Sequence, residues 1–291
     1  MLDLFRMDMF RMRKMRAFIV IAIILIALSA LNTYSSKLER DMYKEDLKEK
    51  ADSIVEEMDS QNEDESDDDS TRIGMVIDSA LEDLSKPYID QMFASFVAGM
   101  FPALMIVIFT VLYVNADSHT GFIKSIGGQM CHRWQITVSK LICVVIYSGI
   151  LLIYVAGLQA VMNLLFFGEA NIYDWEKFMM YILLGFLMNS AFAIFAAFIT
   201  TLFRSNLIGI IICVLDVLGM FSILSYFVNM LIKRLFDYEF DLNKYMLSFC
   251  LSKVKYGSTF DSLSHQLIVA ACFAVVSIAG SIFVFNKRDI A

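Results

Sequence analysis

The sequence predicts an all-α polytopic membrane protein with six transmembrane helices, on three observations. Of its 291 residues 58% are apolar and only 19% charged, against a soluble norm of about 45–50% and about 25%. The charges are also segregated: six apolar runs, residues 17–31, 92–114, 141–167, 178–203, 207–232 and 267–285, together hold 136 residues and a single charge, Asp216. Finally, the runs have helical length and no period-2 alternation, and the whole chain has 2 prolines, which argues against a barrel of tilted strands. A helix rising 1.5 Å per residue needs about 20 apolar residues to cross hydrocarbon. Only the first run is clearly short of that, and it spans if Arg16 snorkels to one headgroup layer while Asn32, Thr33 and Tyr34 meet the other.

Residues 1–16 precede the first span. On a helical wheel Leu2, Phe5, Met9 and Met12 share one side while Asp3, Arg6, Arg13 and Lys14 share another, the pattern of an amphipathic helix lying in the membrane interface. The basic residues before an apolar stretch imitate a secretory signal. A retained anchor is the preferred reading, because the remaining topology needs an odd helix here.

Lysine and arginine counts set the orientation. Five lie in the leader, three in residues 115–140, one at Arg204 and two in the tail, 286–291, at Lys287 and Arg288. Those segments alternate with the spans, so the positive-inside rule makes them, and both termini, cytoplasmic. The localisation this implies is a plasma membrane, multi-pass and bacterial. Opposite lie residues 32–91, with 7 basic and 19 acidic residues, and residues 233–266. Lys233 and Arg234 run against the rule. The interleaved apolar residues of 233–266, among them Phe236, Tyr238, Phe240 and Phe249, suggest half-helices dipping into the outer leaflet with the cations snorkelling to phosphates.

In the outer segment Leu38, Met42, Leu47, Ala51, Ile54 and Met58 recur at helical spacing, so it begins as an amphipathic continuation of the first span. Further on, Glu63, Asp64, Glu65, Asp67, Asp68 and Asp69 form an acidic run with no basic residue among them. Most such runs are solvated hinges; the functional reading is an extracellular patch that attracts cations or cationic peptides. The glycine turn and twelfth-position Glu of a calcium loop are missing.

The inner segment, 115–140, carries more. Asp117, then Gly121-Phe122-Ile123-Lys124, Ile126, Arg133 and finally Ser139-Lys140 at the opening of the third span mix charge with regularly placed apolar residues. That is too polar to insert and suits a surface helix that docks on a cytoplasmic partner. The order of features resembles the permease subunits of type-2 ATP-binding-cassette exporters: a basic amphipathic leader, a first span, a long outer segment, a span ending in a carboxylate near Gly-x-x-Lys, a turn with Arg, and Ser-Lys opening the third span. The ending Lys287-Arg288-Asp289-Ile290 is similar to their basic-basic-Asp-hydrophobic tail. Where that family usually has Glu before the Gly-x-x-Lys, this chain has Asp117. The resemblance implies that Asp117, Gly121, Phe122, Ile123, Lys124, Ile126 and Arg133 couple the chain to a separate P-loop ATPase carrying Mg-ATP, and that the chain pairs with a second permease copy or a paralogue. The long outer segment points to the peptide-export or peptide-immunity branch.

This chain has no G-x-x-x-x-G-K-[ST] phosphate cradle, so no cofactor of its own is expected and the chain by itself is not expected to be an enzyme. His119, His132 and His265 are not at ligand spacing, so no metal site is assigned, and no catalytic residue or nucleic-acid surface is read. Asp216, in mid-span, must be protonated, hydrogen-bonded or facing water, since an unpaired charge there costs at least about 2.5–3.5 kcal/mol. The plain reading pairs it with Gln159, Asn163 or Asn189; the functional one makes Asp216, Asn163 and Asn189 part of a translocation route or a dimer interface. Pro102, Gly209 and Gly219 read as packing or kink positions. Two functions are therefore expected: a permease subunit, among membrane lipids, exporting an amphipathic or cationic peptide, with a lipid or small hydrophobic molecule as the secondary cargo; alternatively a non-transporting immunity or sensory protein that binds an extracellular peptide.

Overall fold

The computed structural model describes residues 2–59, 87–119, 134–236 and 241–287. Among them the chain is helical, with no named strand; one isolated bridge pairs Tyr88 with Asn171. Four helices are long and apolar enough to cross a membrane, and two bent helix pairs raise the number to six if each pair is one span.

Helix α1, Leu2–Lys14, buries Leu4, Asp8 and Met12. These are spaced by four and so form one stripe, which packs chiefly on the start of the fifth helix. The stripe differs from the wheel's apolar side: Phe5 and Met9 are only partly buried against the core, and a polar residue sits at its centre. Helix α2, Arg16–Asp59, continues the first run without a break for 44 residues. At 1.5 Å per residue it is about 66 Å long, roughly twice the hydrocarbon thickness. Its buried stripe is Ile21, Leu25, Ser29 and Thr33, while Ile19, Val20, Ile23 and Leu31 face outward.

The second run is not one rod. Helix α3, Ile89–Ala98, and helix α4, Phe101–His119, meet at 56°. Between them Met100 has φ 58, a left-handed conformation that a side chain rarely adopts. Pro102 stands in the first turn of α4, where its missing N–H costs nothing. Helix α5, Trp134–Phe167, and helix α6, Trp175–Phe203, carry the third and fourth apolar runs unbroken, each long and apolar enough to cross a membrane. Asp174 caps α6 by accepting from the N–H groups of Glu176 and Lys177, and Arg204 ends it at φ 50.

The fifth run breaks as well. Helix α7, Asn206–Val217, is capped by Ser205; helix α8, Met220–Phe236, leaves it at 71° through Gly219, whose φ of 72 suits a residue without Cβ. A 3-10 turn, Leu242–Tyr245, and a short helix α9, Leu247–Ser252, follow, the latter burying Leu247, Ser248, Cys250 and Leu251. Helix α10, Ser264–Lys287, closes the bundle.

Helix α6 is the hub. It packs on α10, α4, α5, α7 and α9, and Leu184, Met188, Ala193 and Ala196 along it are wholly buried. Close approach rests on small residues. A Cβ on Gly280 of α10 would lie 2.6 Å from the Phe198 ring, and one on Gly209 of α7 would lie 3.0 Å from Val111. An aromatic knot fills the centre between α2, α4 and α5: Phe109 stacks on Tyr147 at 3.7 Å between ring centroids, and Phe18 meets both edge-on.

Candidate functional site

Polar side chains inside the bundle gather at three levels. At the end that carries α1, Ser139 Oγ donates to Asp8 Oδ2 at 2.6 Å, with both residues buried. A short bond to a carboxylate is among the stronger hydrogen bonds a side chain makes. It clamps the leader helix to the first turns of α5, at the Ser-Lys pair singled out in the sequence. Nearby, Asn115 Nδ2 donates to Asn206 Oδ1 at 2.7 Å, joining the last turns of α4 to the first of α7. The segment 120–133 leaves from α4 and returns into α5 at Trp134, so both of its anchors belong to this end.

Deeper in the bundle, Asp216 is buried and accepts from Ser248 Oγ at 3.2 Å. The partner comes from the short helix α9, not from Gln159, Asn163 or Asn189. Asp216 sits two residues before the α7–α8 break, so the bond pins the broken end of α7 to an element folded back into the bundle. Asn163 Nδ2 instead donates to the Pro87 carbonyl at 3.0 Å, Asn189 Nδ2 to the Gly185 carbonyl of its own helix at 2.8 Å, and Gln159 accepts from Thr33 at 3.3 Å. Asn163 and Asn189 are almost wholly buried within the chain. They therefore do not present a dimer surface, and neither joins Asp216.

At the opposite end Asp90 is wholly buried on α3 and accepts from the Tyr256 hydroxyl and from the Tyr173 N–H. The Tyr256 hydroxyl oxygen also lies 3.4 Å from the Asp174 carbonyl oxygen, and its ring lies edge-on to Tyr181 of α6. Ile89 N donates to the Asn171 carbonyl at 2.9 Å, so α3, the 168–174 connection and the 253–257 loop form one latch. Burial, the Asp90 hydrogen bond and the neighbouring Asp90 and Asp174 carboxylates push the Tyr256 phenol above its usual range. Lys177 beside Asp174 holds that carboxyl below its usual range.

The residues assigned to docking divide between what the structure describes and what it does not. Asp117 lies in the last turn of α4, where its backbone alone is described. Gly121, Phe122, Ile123, Lys124, Ile126 and Arg133 lie outside the described residues, as does the acidic run Glu63, Asp64, Glu65, Asp67, Asp68 and Asp69. Sequence reasoning missed Asp8, Asp90 and Ser248. Asp8 had one signal available, its position four residues from both Leu4 and Met12; the other two had none, because their partners lie 166 and 32 residues away.

No curated protein and no solved structure matches the chain. Residues 78–291 match the family described as "Protein of unknown function (DUF2705)". That match takes in every described helix after α2, and the chain belongs to this family.

Proposed function

We propose that the chain is the membrane-embedded permease subunit of an ATP-driven exporter of the type-2 ATP-binding-cassette kind, with six spans, both termini cytoplasmic and ATP hydrolysed by a separate subunit. The observation that carries this reading is the Asp8–Ser139 clamp. It makes the leader and the start of α5 move as one body, and α5 begins where the segment that the resemblance assigns to coupling ends. A receptor has no use for such a lever; an exporter needs one to pass a partner's motion into the spans. The hub α6 and the two broken spans then serve as a fixed wall with bent elements beside it. The cargo class that suits the acidic outer segment is an amphipathic or cationic peptide.

Phe122 and Ile126 are the apolar residues available to enter a groove on the ATPase. Replacing both by Asp is expected to leave the thermal unfolding of the purified chain unchanged and to abolish co-purification of a P-loop ATPase from native membranes. Undiminished complex formation refutes the assignment.

One observation favours the alternative, a non-transporting immunity or sensory protein. Helix α2 runs on past the apolar run as a charged rod to Asp59, with Leu38, Met42 and Tyr43 exposed on it, a surface fit for capturing a peptide. Under that reading no ATPase accompanies the chain, and deletion of the rod alone abolishes protection against the peptide.

A further inference from the structure

Helix α3 and the stretch from α9 to Tyr256 are joined at the latch, where Tyr256 meets Asp90, and stand apart beyond it. The space between them is a cleft of about 350 Å³. Ala94, Val97 and Ala98 of α3 form one side, Leu251 and Val254 the other, and Tyr181 of α6, 2% exposed, closes the bottom. The hydroxyls of its walls are already bonded within the chain: Ser95 donates to the Met92 carbonyl, Ser252 to the Phe249 carbonyl and Tyr256 to Asp90. What the cleft offers is therefore chiefly apolar surface. Apolar cavities of even about 150 Å³ stay dry and take up apolar guests, so water is a poor occupant for this one.

Length and strain narrow the choice of guest. The cleft runs along α3 from Lys255, exposed beside the latch, to Met100 at the bend. The ten residues of α3 rise about 15 Å, half of a hydrocarbon core of about 30 Å and so the depth of one leaflet. Residues 94–100 and Tyr181 belong to apolar runs of the sequence, and Lys255 is the one formal charge in the lining. A wall with a single charge, at one end, has the polarity of an amphiphile whose head stays in the interface while its tail goes inward. Met100 is the strained point. Gly99 beside it keeps an ordinary φ of −69 and makes room for the Phe101 ring, 2.6 Å from where its Cβ would be, so the left-handed turn falls on a residue with a side chain, and that residue lines the cleft. Strain of this kind persists where the surroundings hold it in place, and it clusters at ligand clamps.

We propose that the cleft between α3 and α9 holds one acyl chain of a membrane phospholipid, lying along α3 with its ester end at Lys255 and its methyl end at Met100. The chain fills the space that the latch leaves open and keeps α3 bent away from α9. The site rests on the helices crossing a membrane and stands independently of the permease reading.

The test is photolabelling of the full chain in phosphatidylcholine vesicles doped with a phosphatidylcholine that carries a diazirine on one acyl chain, near the ester in one probe and near the methyl end in another. Adducts are mapped by mass spectrometry. The ester-end probe is expected to label Val254 and Lys255, and the methyl-end probe Met100 and Leu251. Ile153, exposed on α5, reports ordinary contact with the methyl-end probe. Ala98→Phe places a ring in the cleft from an exposed position on α3, and Ser252→Phe does so from the opposite wall. Each is expected to lower labelling of Leu251 about tenfold while labelling of Ile153 and the thermal midpoint stay native. Undiminished labelling of Leu251 in both variants overturns the site, as does labelling of the cleft with no order of depth between the two probes. Labelling that appears only when the protein is diluted in lipid identifies a second copy of the chain as the occupant and also overturns it.

Discussion

The fourth and fifth apolar runs are both 26 residues long and comparably apolar in sequence, yet one becomes the hub of the bundle and the other breaks. Helix α6 runs straight from Trp175 to Phe203 with alanines at buried positions, so neighbours approach it on several sides. The fifth run turns through 71° at Gly219. Beyond the turn, α8 carries Ile223, Tyr226, Phe227 and Met230 in exposed positions. Hydropathy does not separate them, because it measures only the cost of leaving water. Side-chain size decides whether another helix can come close, since hydrocarbon offers no hydrophobic drive between helices.

The largest expected effect comes from spoiling the hub. Ala196→Leu inserts three carbons at a wholly buried position, and overpacking of this kind costs about 1–3 kcal/mol. It is expected to lower the thermal midpoint and the yield of monodisperse protein in detergent. A comparable enlargement on exposed α8, Ile223→Phe, is expected to do neither. A hub variant as stable as the native chain would remove the contrast.

Next comes the latch that holds the N-terminal end of α6. Tyr256→Phe leaves the buried Asp90 carboxylate without its hydroxyl donor, for an expected loss of about 1–3 kcal/mol. The pH dependence follows from the same group. Its pKa is higher folded than unfolded, so the folded state holds the proton more tightly and stability is whole below about pH 10, the unfolded value, then falls as pH rises through the folded value. Tyr256→Phe is expected to flatten that alkaline decline in unfolding measurements.

The break itself is expected to respond more modestly. Gly219→Ala places a Cβ at a φ of 72, at a cost of roughly 1–2 kcal/mol. Nearby space is open, with Ser222 at 4.0 Å, so strain rather than collision accounts for the loss. A gain in stability would mean that the bend relaxes and that the fifth run prefers a straight helix.

The smallest effects are expected at Asp216. Asp216→Asn keeps an oxygen for Ser248 and is expected to be close to native in stability. Asp216→Leu leaves the buried Ser248 hydroxyl unpaired, and interhelical bonds in membranes are worth about 0.6–2 kcal/mol. If Asn proves as damaging as Leu, the acid itself matters and proton or cation handling gains support. If both match the native chain, the bond does not hold the broken end in place.

Legibility followed the range of the interactions. Pro102, Gly209 and Gly219 could be read as packing or kink positions because their effect on the backbone is local, and each lies at a break or a close contact. Asp216 could be read as needing a partner, since burial of a carboxylate demands one, but Ser248 could not be named. It belongs to α9, six residues long, in a segment where half-helices could be expected but nothing local says which of their residues turns towards Asp216.

By itself the sequence determined the helical class and the apolar segments, because every backbone polar group in hydrocarbon must be satisfied within its own helix and that demand is written into consecutive residues. The caps at Asp174 and Ser205 are equally local. Only the tertiary structure decided which helix became the hub, that Asp8 would meet Ser139 across 131 positions, and that Asp90 would meet Tyr256 across 166. Such pairs depend on where whole helices come to rest, and that is set by the summed shape of their faces rather than by any stretch of sequence.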